Sequence, residues 1–381
     1  NYLRIDGETP SASGSRGQVF VLDGELAGEL AGITALAYDG SLLALSRSHV
    51  ATAEVTTRDI DRGSAPHFLL KEIQEAPESF RKTLRGKITG PDNHLRVVVG
   101  DRVLPADISA RLAARSITKV RVIGQGTAAV AGSSMAAILD SLCDGRLDID
   151  SVTATELSGF ELRLDMSDTL VVAVSQSGTT TDTNRTVDLA RSRGAAVLAI
   201  VNRRNSDLTD KAHGVMYTSD GRDVEMSVAS TKAFYAQVAA GVLLACVISQ
   251  AAALGSDRRR HELLSALREL PDAMRTVIAG RDQIAEAARR FAPPKRYWAI
   301  VGNGPNVVAA EEVRIKLSEL CYKSIACDVT EDKKHIDLSS EPLILVCAAG
   351  LSGPAAADAV KEVAIYKAHA ASPVVICDRG E

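Results

Sequence analysis

Short apolar segments alternate with helical stretches along most of the chain, and this alternation restricts the fold more than any other feature. Segments 120–123, 169–174 and 196–201 are rich in Val, Ile, Leu and Ala, and each precedes turn residues and a helical pattern. The alternation begins again with segments 297–301 and 342–347, followed by residues 373–377. Strands that alternate with helices are typical of a mainly parallel sheet flanked by helices. The chain is therefore predicted to be an α/β protein.

The two series of strands begin with similar turns, which indicates a duplicated domain. Residues 122–127 are Val-Ile-Gly-Gln-Gly-Thr, and residues 300–305 are Ile-Val-Gly-Asn-Gly-Pro. Aromatic residues make up only 4% of the chain, while 46% of it is hydrophobic. Such a composition favours helices packed on a parallel sheet over a β-sandwich. We predict two nucleotide-fold-like α/β sandwiches.

The chain of 381 residues is longer than one hydrophobic core usually supports. Alternating residues at 18–22 and 32–38, with the turn Asp39-Gly40, predict short strands near the start. Leu69, Ile73, Phe80 and Leu84 have helical spacing in the next segment. The predicted organisation is a β-rich segment at 1–66, a helical linker at 67–105, a first α/β domain at 106–270 and a second at 271–381.

Charge and cysteine content exclude several classes of function. A net charge of −4 gives no broad cationic surface for nucleic acid. The six cysteines form no Cys-x-x-Cys pair, so we interpret them as buried free thiols rather than metal ligands. Apolar runs stay shorter than about 18 residues, the length that spans a membrane, and no signal peptide is recognisable. We therefore expect a cytoplasmic protein that uses neither a metal nor another cofactor.

The turn Gly124-Gln125-Gly126 raises the alternative of a dinucleotide-binding enzyme. Position 129 is Ala instead of a third glycine, and no acidic residue stands at the end of an obvious second strand about 20 residues later, where the ribose would bind. A close turn between a strand and a helix, which needs small residues, explains this motif better than NAD binding.

A hydroxyl-rich loop follows the strand that ends at Val174. Residues 175–183 are Ser-Gln-Ser-Gly-Thr-Thr-Thr-Asp-Thr. Hydroxyls and backbone N–H groups at a helix start can surround a phosphate, assisted by the helix dipole. The alternative is an N-cap, but a cap needs only one hydroxyl. The loop therefore predicts a phosphate site without net positive charge.

A second polar segment, residues 225–234, precedes a long apolar helix. Ser230 and Thr231 are placed to cap that helix and to offer its N–H groups to a ligand. A capped helix without a ligand is the competing interpretation, and local sequence favours it.

Together these motifs resemble the isomerase portion of the glucosamine-6-phosphate synthase family, which contains two sugar-isomerase (SIS) domains. The resemblance involves residues 175–183 and 228–234, and the helix at 71–88, and it extends from about residue 67 to residue 340. It implies two SIS domains after a β-rich remnant of a glutaminase domain. It also implies conversion of fructose 6-phosphate, with ammonia from glutamine, to glucosamine 6-phosphate.

The resemblance also implies roles for individual residues. Glu319 matches the isomerisation base, with Lys316 one helical turn before it, and His335 matches the histidine of ring opening. A carboxylate suits proton movement between C1 and C2 of a sugar, and histidine titrates near neutrality. The residues that match phosphate and sugar contacts are Thr127, Ser175, Gln176, Ser177, Thr180, Val228 and Ser230.

The chain departs from the family at several positions. Ala128 replaces a serine, Ile336-Asp337 replace Gly-Pro, and the family's Schiff-base lysine and glutaminase cysteine have no counterpart in residues 1–381. The family implies a homodimer and a glutaminase domain upstream, so the chain is expected to be a fragment that binds a phosphosugar better than it converts one. A non-catalytic phosphosugar sensor, or an enzyme acting on another sugar phosphate, is the alternative.

Overall fold

A computed structural model describes residues 2–3, 18–37, 39–51, 60–336 and 338–378. Six of these are described by their backbone alone: Tyr2, Leu3, Gln18, Ala51, His335 and Ile336. The chain divides into two compact units, residues 1–61 and residues 62–381. The sequence predicts four parts, whereas this division has two units. The boundaries between the four parts therefore stay a prediction.

The described part of residues 1–61 consists of short antiparallel strands, in agreement with its alternating sequence. The central strand pairs with a neighbour on each side, and two further strands pair with each other. Its descent from a glutaminase domain stays a prediction. The strands are β1 (Tyr2–Leu3), β2 (Gln18–Leu22), β3 (Ile33–Ala37), β4 (Leu42–Leu43) and β5 (Val50–Ala51).

Helix α1 (Phe68–Leu84) lies near the start of the second unit, where the sequence predicts a helix. His67 caps it, since its Nδ1 accepts a hydrogen bond from the backbone N–H of Leu70 at 3.2 Å. Phe80 is buried and helps to pack the helix on the core. A small hairpin of β6 (Ile88–Thr89) and β7 (Arg96–Val97) follows.

The first α/β domain is built on a five-stranded parallel sheet in the order β12-β11-β10-β8-β9. Every residue of β10 and β11 is buried, because helices cover both faces of a parallel sheet. The predicted α/β class is therefore confirmed. The strands are β8 (Lys119–Gly124), β9 (Asp148–Thr153), β10 (Thr169–Ser175), β11 (Ala196–Val201) and β12 (Gly214–Tyr217).

Helices surround this sheet, and α3 and α7 pack extensively on each other. The helices are α2 (Ala106–Ala113), α3 (Thr127–Cys143), α4 (Ala154–Glu156), α5 (Thr181–Ser192), α6 (Asp207–Lys211), α7 (Lys232–Ala251), α8 (Asp257–Ala279) and α9 (Arg281–Phe291).

The second α/β domain contains a four-stranded parallel sheet in the order β14-β13-β15-β16. In both sheets the first strand lies between the second and the third, as a duplicated fold requires. The elements are β13 (Trp298–Gly302), α10 (Asn306–Cys321), β14 (Ala326–Asp328), α11 (Thr330–Ile336), β15 (Leu343–Cys347), α12 (Gly353–Ala368) and β16 (Ser372–Ile376).

Helix α7 is the one helix of the described residues that is long and apolar enough to cross a membrane. Of its most apolar window, 83% is buried inside the protein, which is typical of a core helix.

All six cysteines are thiols rather than disulfides, but the prediction that they are buried is wrong for three of them. Cys321 ends α10 and Cys377 follows β16, where neighbouring elements no longer cover the chain, and both are exposed. Cys327 is partly exposed.

Close contact between β8 and α3 requires a glycine at position 124. A Cβ added to Gly124 would lie 2.7 Å from the carbonyl carbon of Ala128 and 2.8 Å from the backbone nitrogen of Ala129. We expect Gly124→Ala to lower the free energy of unfolding by about 1–3 kcal/mol, because α3 has to move away from the sheet. Urea denaturation would measure this change. Gly159→Ala is the control, since a Cβ at Gly159 meets nothing within 4 Å, and equal losses in both variants would contradict the explanation.

Candidate functional site

The loops that follow β8 and β10 diverge from the point where the strand order of the first sheet reverses. Strand β8 pairs with β9 on one side and with β10 on the other. The connection after β8 leads to β9 on one side, and the connection after β10 leads to β11 on the other, so the two leave the sheet in opposite directions. The crevice between two such connections is the usual ligand site of open α/β sheets. Residues 124–127 and 175–180 therefore lie on the two sides of this crevice.

The hydroxyl-rich loop is shaped by its own serines. Ser175 Oγ accepts a hydrogen bond from the N–H of Gly178 at 3.0 Å, and Ser177 Oγ accepts one from the N–H of Thr179 at 3.2 Å. Thr180 occupies the N-cap position of α5, but its side chain makes no capping hydrogen bond. The first N–H groups of a helix have no partner inside the helix. This loop thus holds its shape internally and presents the start of α5 to the crevice.

The crevice contains a cavity of about 180 Å³, called here the inner cavity. All ten residues that line it are uncharged, so an anion bound there would meet neutral donors and the helix dipole. The lining residues are Gln125, Thr127, Ala128, Val174, Ser175, Gln176, Ser177, Thr180, Ser230 and Gln237.

A larger cavity of about 490 Å³, called here the outer cavity, shares Thr127 and Ser230 with the inner one. Helix α10 of the second α/β domain forms its other wall and contributes charged side chains. The lining residues are Gly126, Thr127, Val228, Ser230, Arg314, Ile315, Lys316, Ser318 and Glu319.

Two carboxylates and one ammonium group on α10 form a connected charged cluster at the site, and Arg314 of the same helix also lines the outer cavity. Lys316 Nζ lies 3.4 Å from Glu312 Oε1 and 3.5 Å from Glu319 Oε2. Thr127 Oγ1 donates a hydrogen bond of 3.2 Å to Glu312 Oε1, which connects the first α/β domain to the second. Burial raises the pKa of Glu312 to about 7, although Lys316 and Thr127 oppose this rise. Glu312 is therefore partly protonated near neutral pH.

Buried carboxylates hold the segment that brings Val228 and Ser230 to the cavities. Glu72, on α1 and only 1% exposed, accepts hydrogen bonds from the N–H of Met226 at 2.5 Å and from the hydroxyl of Ser227. Because these donors are backbone and side-chain groups of one loop, α1 fixes the position of that loop.

The start of α7 is also held by carboxylates. Glu225 accepts hydrogen bonds from Ser230 Oγ at 2.9 Å and from the N–H groups of Thr231 at 2.8 Å and Ala233 at 3.0 Å. The prediction that Ser230 and Thr231 cap α7 with their hydroxyls, which both interpretations of this segment shared, is therefore wrong. A carboxylate replaces the hydroxyls because it accepts several hydrogen bonds and has the charge that a helix N-terminus favours.

An ion pair adds to this attachment. Lys232 Nζ, in a residue that is only 5% exposed, lies 2.6 Å from Glu75 Oε2 on α1. Burial raises the pKa of Glu75, but its hydrogen bond and charge interaction with Lys232 outweigh burial, so the pKa lies below its ordinary value.

Nine of the ten residues predicted from sequence line one of the two cavities. The tenth, His335, belongs to α11, but its side chain lies outside the described residues. Sequence reasoning missed Glu312, Gln237 and Glu72. Glu312 was recognisable in principle, since it precedes Lys316 by four residues on the same face of a helix. Among the described residues, no cluster of His, Cys, Asp and Glu suited to a metal ion is found.

Comparison with known proteins gives this crevice a family context. Residues 115–247 match the family model of the SIS domain. The chain contains a SIS domain. The match includes β8, the hydroxyl-rich loop and the start of α7, so the SIS domain provides most of the inner cavity.

Most of the chain is similar to part of larger aminotransferases. It is 33% identical over 72% of its length to glutamine–fructose-6-phosphate aminotransferase (isomerizing) of Mycolicibacterium smegmatis, of which it covers 41%. The enzyme of that name from Thermus thermophilus is 28% identical over 90% of this chain, which covers 57% of it. The resemblance inferred from the motifs is confirmed, and the chain spans about half the length of these relatives.

A solved structure shows the same fold. The C-terminal domain of glucosamine-fructose-6-phosphate aminotransferase from Francisella tularensis superposes with a TM-score of 0.74. The superposition covers 84% of this chain and 86% of the other, at 20% sequence identity. The predicted SIS-type α/β architecture is confirmed by this likeness.

The buried Glu312 predicts a pH-dependent stability. Its pKa in the folded state, about 7, exceeds the ordinary 4.5, so the folded protein binds the proton more tightly than the unfolded chain. The contribution of this group to stability is full below pH 4.5 and is lost as pH rises through 7. As the pH rises from about 5 to about 8, the unsubstituted protein should lose about 2–3 kcal/mol in free energy of unfolding relative to Glu312→Gln, whose amide does not titrate. Urea denaturation at both pH values measures the difference.

Lys316→Met supplies the matched comparison for Glu312. Removing the ammonium group should raise the pKa of Glu312 further, because Lys316 lowers it. In infrared spectra, the carboxylate band that disappears in Glu312→Gln belongs to this residue. In Lys316→Met, the titration midpoint of that band should lie at a higher pH than in the unsubstituted protein. Stability curves of Glu312→Gln and the unsubstituted protein that stay parallel across this pH range would contradict the assignment.

Glu72 is expected to be essential for the loop at residues 225–231. Glu72→Ala removes the buried carboxylate that accepts hydrogen bonds from the N–H groups of Met226 and Ser227 and from the Ser227 hydroxyl. Because hydrogen bonds to a charged group are the stronger ones, we expect a loss of about 2 kcal/mol or more in the free energy of unfolding. Hydrogen exchange should increase first at Met226 and Ser227. Glu78→Ala is the control on the same helix, since its ion pair with Arg81 is exposed and surface pairs contribute about 0–1 kcal/mol. Equal effects of the two substitutions would show that the buried contacts are unimportant.

Proposed function

We propose that this chain binds a hexose 6-phosphate and carries out the isomerisation part of a glutamine-dependent aminotransferase reaction. The proposed overall reaction converts fructose 6-phosphate, with ammonia from glutamine, to glucosamine 6-phosphate. The main support is the connection of two cavities with different chemistry. An uncharged cavity rich in hydroxyls shares Thr127 and Ser230 with a cavity that contains Glu319 and Lys316.

The inner cavity suits the phosphate group. Thr180, the N-cap residue of α5, lines a cavity whose lining is uncharged, so the N-terminus of that helix lies next to it. Charge-assisted hydrogen bonds from neutral donors to an anion are stronger than neutral ones, and the helix dipole adds to them. A phosphate held there would direct the rest of a hexose through the shared residues towards α10.

The outer cavity suits proton transfer. Glu319, with a side chain that is 35% exposed, would act as the base that moves a proton between C1 and C2. Glu312 does not line the cavity itself but contacts Thr127 and Lys316, which do, and with a pKa of about 7 it would hold a proton beside the site at neutral pH. Lys316, within 3.5 Å of both carboxylates, would orient them and balance their charge. Two carboxyl groups with different surroundings are a common arrangement for acid and base roles.

Several parts of this proposal extend beyond the described residues. Ring opening by His335, a homodimer, an upstream glutaminase domain and a cytoplasmic location stay predictions. The names of the relatives support the transferase class for the enzymes that they describe.

Binding measurements test the phosphate site directly. We expect Ser177→Ala and Thr180→Ala to weaken the affinity for fructose 6-phosphate by about 10- to 100-fold, because a hydrogen bond to a charged group contributes about 1.5–3 kcal/mol. Isothermal titration calorimetry would measure this affinity, with glucose 6-phosphate and glucosamine 6-phosphate as further ligands. Ser192→Ala is the control, since this exposed serine lies at the other end of α5.

Unchanged affinity in both loop variants would remove the loop from the proposed site. Binding of a phosphosugar without any isomerisation, in the complete protein, would favour the sensor. Loss of isomerisation in Glu319→Gln with retained binding would support the enzyme.

A further inference from the structure

The buried side-chain amide of Gln237, on α7, lines the inner cavity but belongs neither to the hydroxyl-rich loop nor to the charged cluster on α10. Gln237 is only 3% exposed, and its Oε1 atom has no hydrogen-bond partner among the described residues. It lines the inner cavity together with Ser175 and Thr180. A buried carbonyl oxygen without a donor is costly, so such a group in a cavity indicates a contact made with a ligand.

The surroundings of Gln237 on its own helix do not call for a polar side chain. Ala233, one turn earlier, and Gly241, one turn later, are both buried. The helix is apolar around most of its circumference, and a Leu or Met would fill the position without leaving an unpaired oxygen. The amide therefore serves the cavity rather than the packing of α7.

The chemistry of the amide oxygen indicates which part of a ligand it contacts. A carbonyl oxygen only accepts hydrogen bonds, and the oxygens of a phosphate dianion also only accept them. The sugar hydroxyls of a hexose phosphate are donors. The lining also includes Ala128 and Val174, which offer no side-chain hydrogen bond. The amide of Gln125, in the same lining, differs from that of Gln237 in being held by a hydrogen bond from its Nε2 to Thr155 Oγ1 at 3.3 Å.

We propose that Gln237 accepts a hydrogen bond from a hydroxyl of the bound sugar and contributes to the choice of sugar, not to phosphate binding. This inference rests on the proposed function, because it requires a phosphosugar in the inner cavity. The residue is thus a specificity determinant at the interior wall of the cavity. The hydroxyl-rich loop and α5 remain responsible for the phosphate.

Gln237→Leu separates the two contributions. We expect it to weaken the affinity for fructose 6-phosphate about tenfold, while the affinity for inorganic phosphate stays unchanged, both measured by titration calorimetry. The melting temperature without ligand should stay the same or rise, because the substitution removes an unpaired polar atom from the interior. A residue needed only for structure would give the opposite change in melting temperature. Gln250→Leu, on the exposed end of the same helix, is the matched control.

A second variant and a set of analogues protect the test against misfolding. Gln237→Met keeps an unbranched side chain of similar length and should behave like Gln237→Leu. With deoxyhexose 6-phosphates, the analogue that lacks the contacted hydroxyl should bind more weakly than its parent to the unsubstituted protein but equally well to the variants. This loss of discrimination at one hydroxyl would identify the contact.

Two outcomes would overturn the inference alone. One is unchanged affinity of both variants for fructose 6-phosphate when the unsubstituted protein binds it. The other is an equal loss of affinity for inorganic phosphate, which would show that the substitution acts through the hydroxyl-rich loop. If the unsubstituted protein binds none of these phosphosugars, the proposed function itself fails, and the role of Gln237 fails with it.

Discussion

The reversal of strand order at β8 is the constraint on which the site depends. Since β8 lies between β9 and β10, the loops after β8 and β10 have to separate, and a crevice opens at the carboxyl ends of these strands. Gly124 allows α3 to approach β8 closely, as the contacts of an added Cβ demonstrate. Thr127 then begins α3 at the edge of the crevice. The inner cavity follows from this local geometry, while the outer cavity also needs α10 as its second wall.

The two α/β domains supply different kinds of polar group to the site. The first supplies neutral donors around the inner cavity, while α10 of the second supplies Glu312, Lys316 and Glu319. Burial makes the charged form of Glu312 unfavourable, and Lys316 and Thr127 compensate only partly. A carboxyl group that titrates near neutrality is thus a consequence of packing the two domains together.

The attachment of α7 shows how an element outside the sheet contributes to the site. Glu72 and Glu75 on α1 bind the loop before α7 and Lys232 at its start. Removing one partner of such a contact leaves the other partner without a compensating group, which is costly in the interior. These contacts therefore hold the loop firmly. They fix Val228 and Ser230 relative to the hydroxyl-rich loop. The linker helix is therefore part of the binding architecture.

The sequence by itself determined the elements whose pattern is local. Strands β10 and β11 were predictable because each contains a continuous apolar run, and β8 because its short apolar segment at residues 120–123 precedes a glycine turn. The loop at residues 175–183 was predictable because its hydroxyls exceed the need of a cap. Strands β9, β12 and β14 were missed, since they are short or partly exposed and lack such runs.

Only the tertiary structure decided the environment of Glu312, Gln237 and Glu72. Glu312 and Glu72 lie on helices where their spacing is equally compatible with an exposed polar face, while Gln237 lies on an apolar helix whose sequence does not show which side meets a cavity. Their burial results from packing against segments distant in sequence, such as Thr127 against Glu312 and Ser227 against Glu72. A pKa or an unpaired oxygen depends on those distant neighbours, so neither can be derived from local sequence.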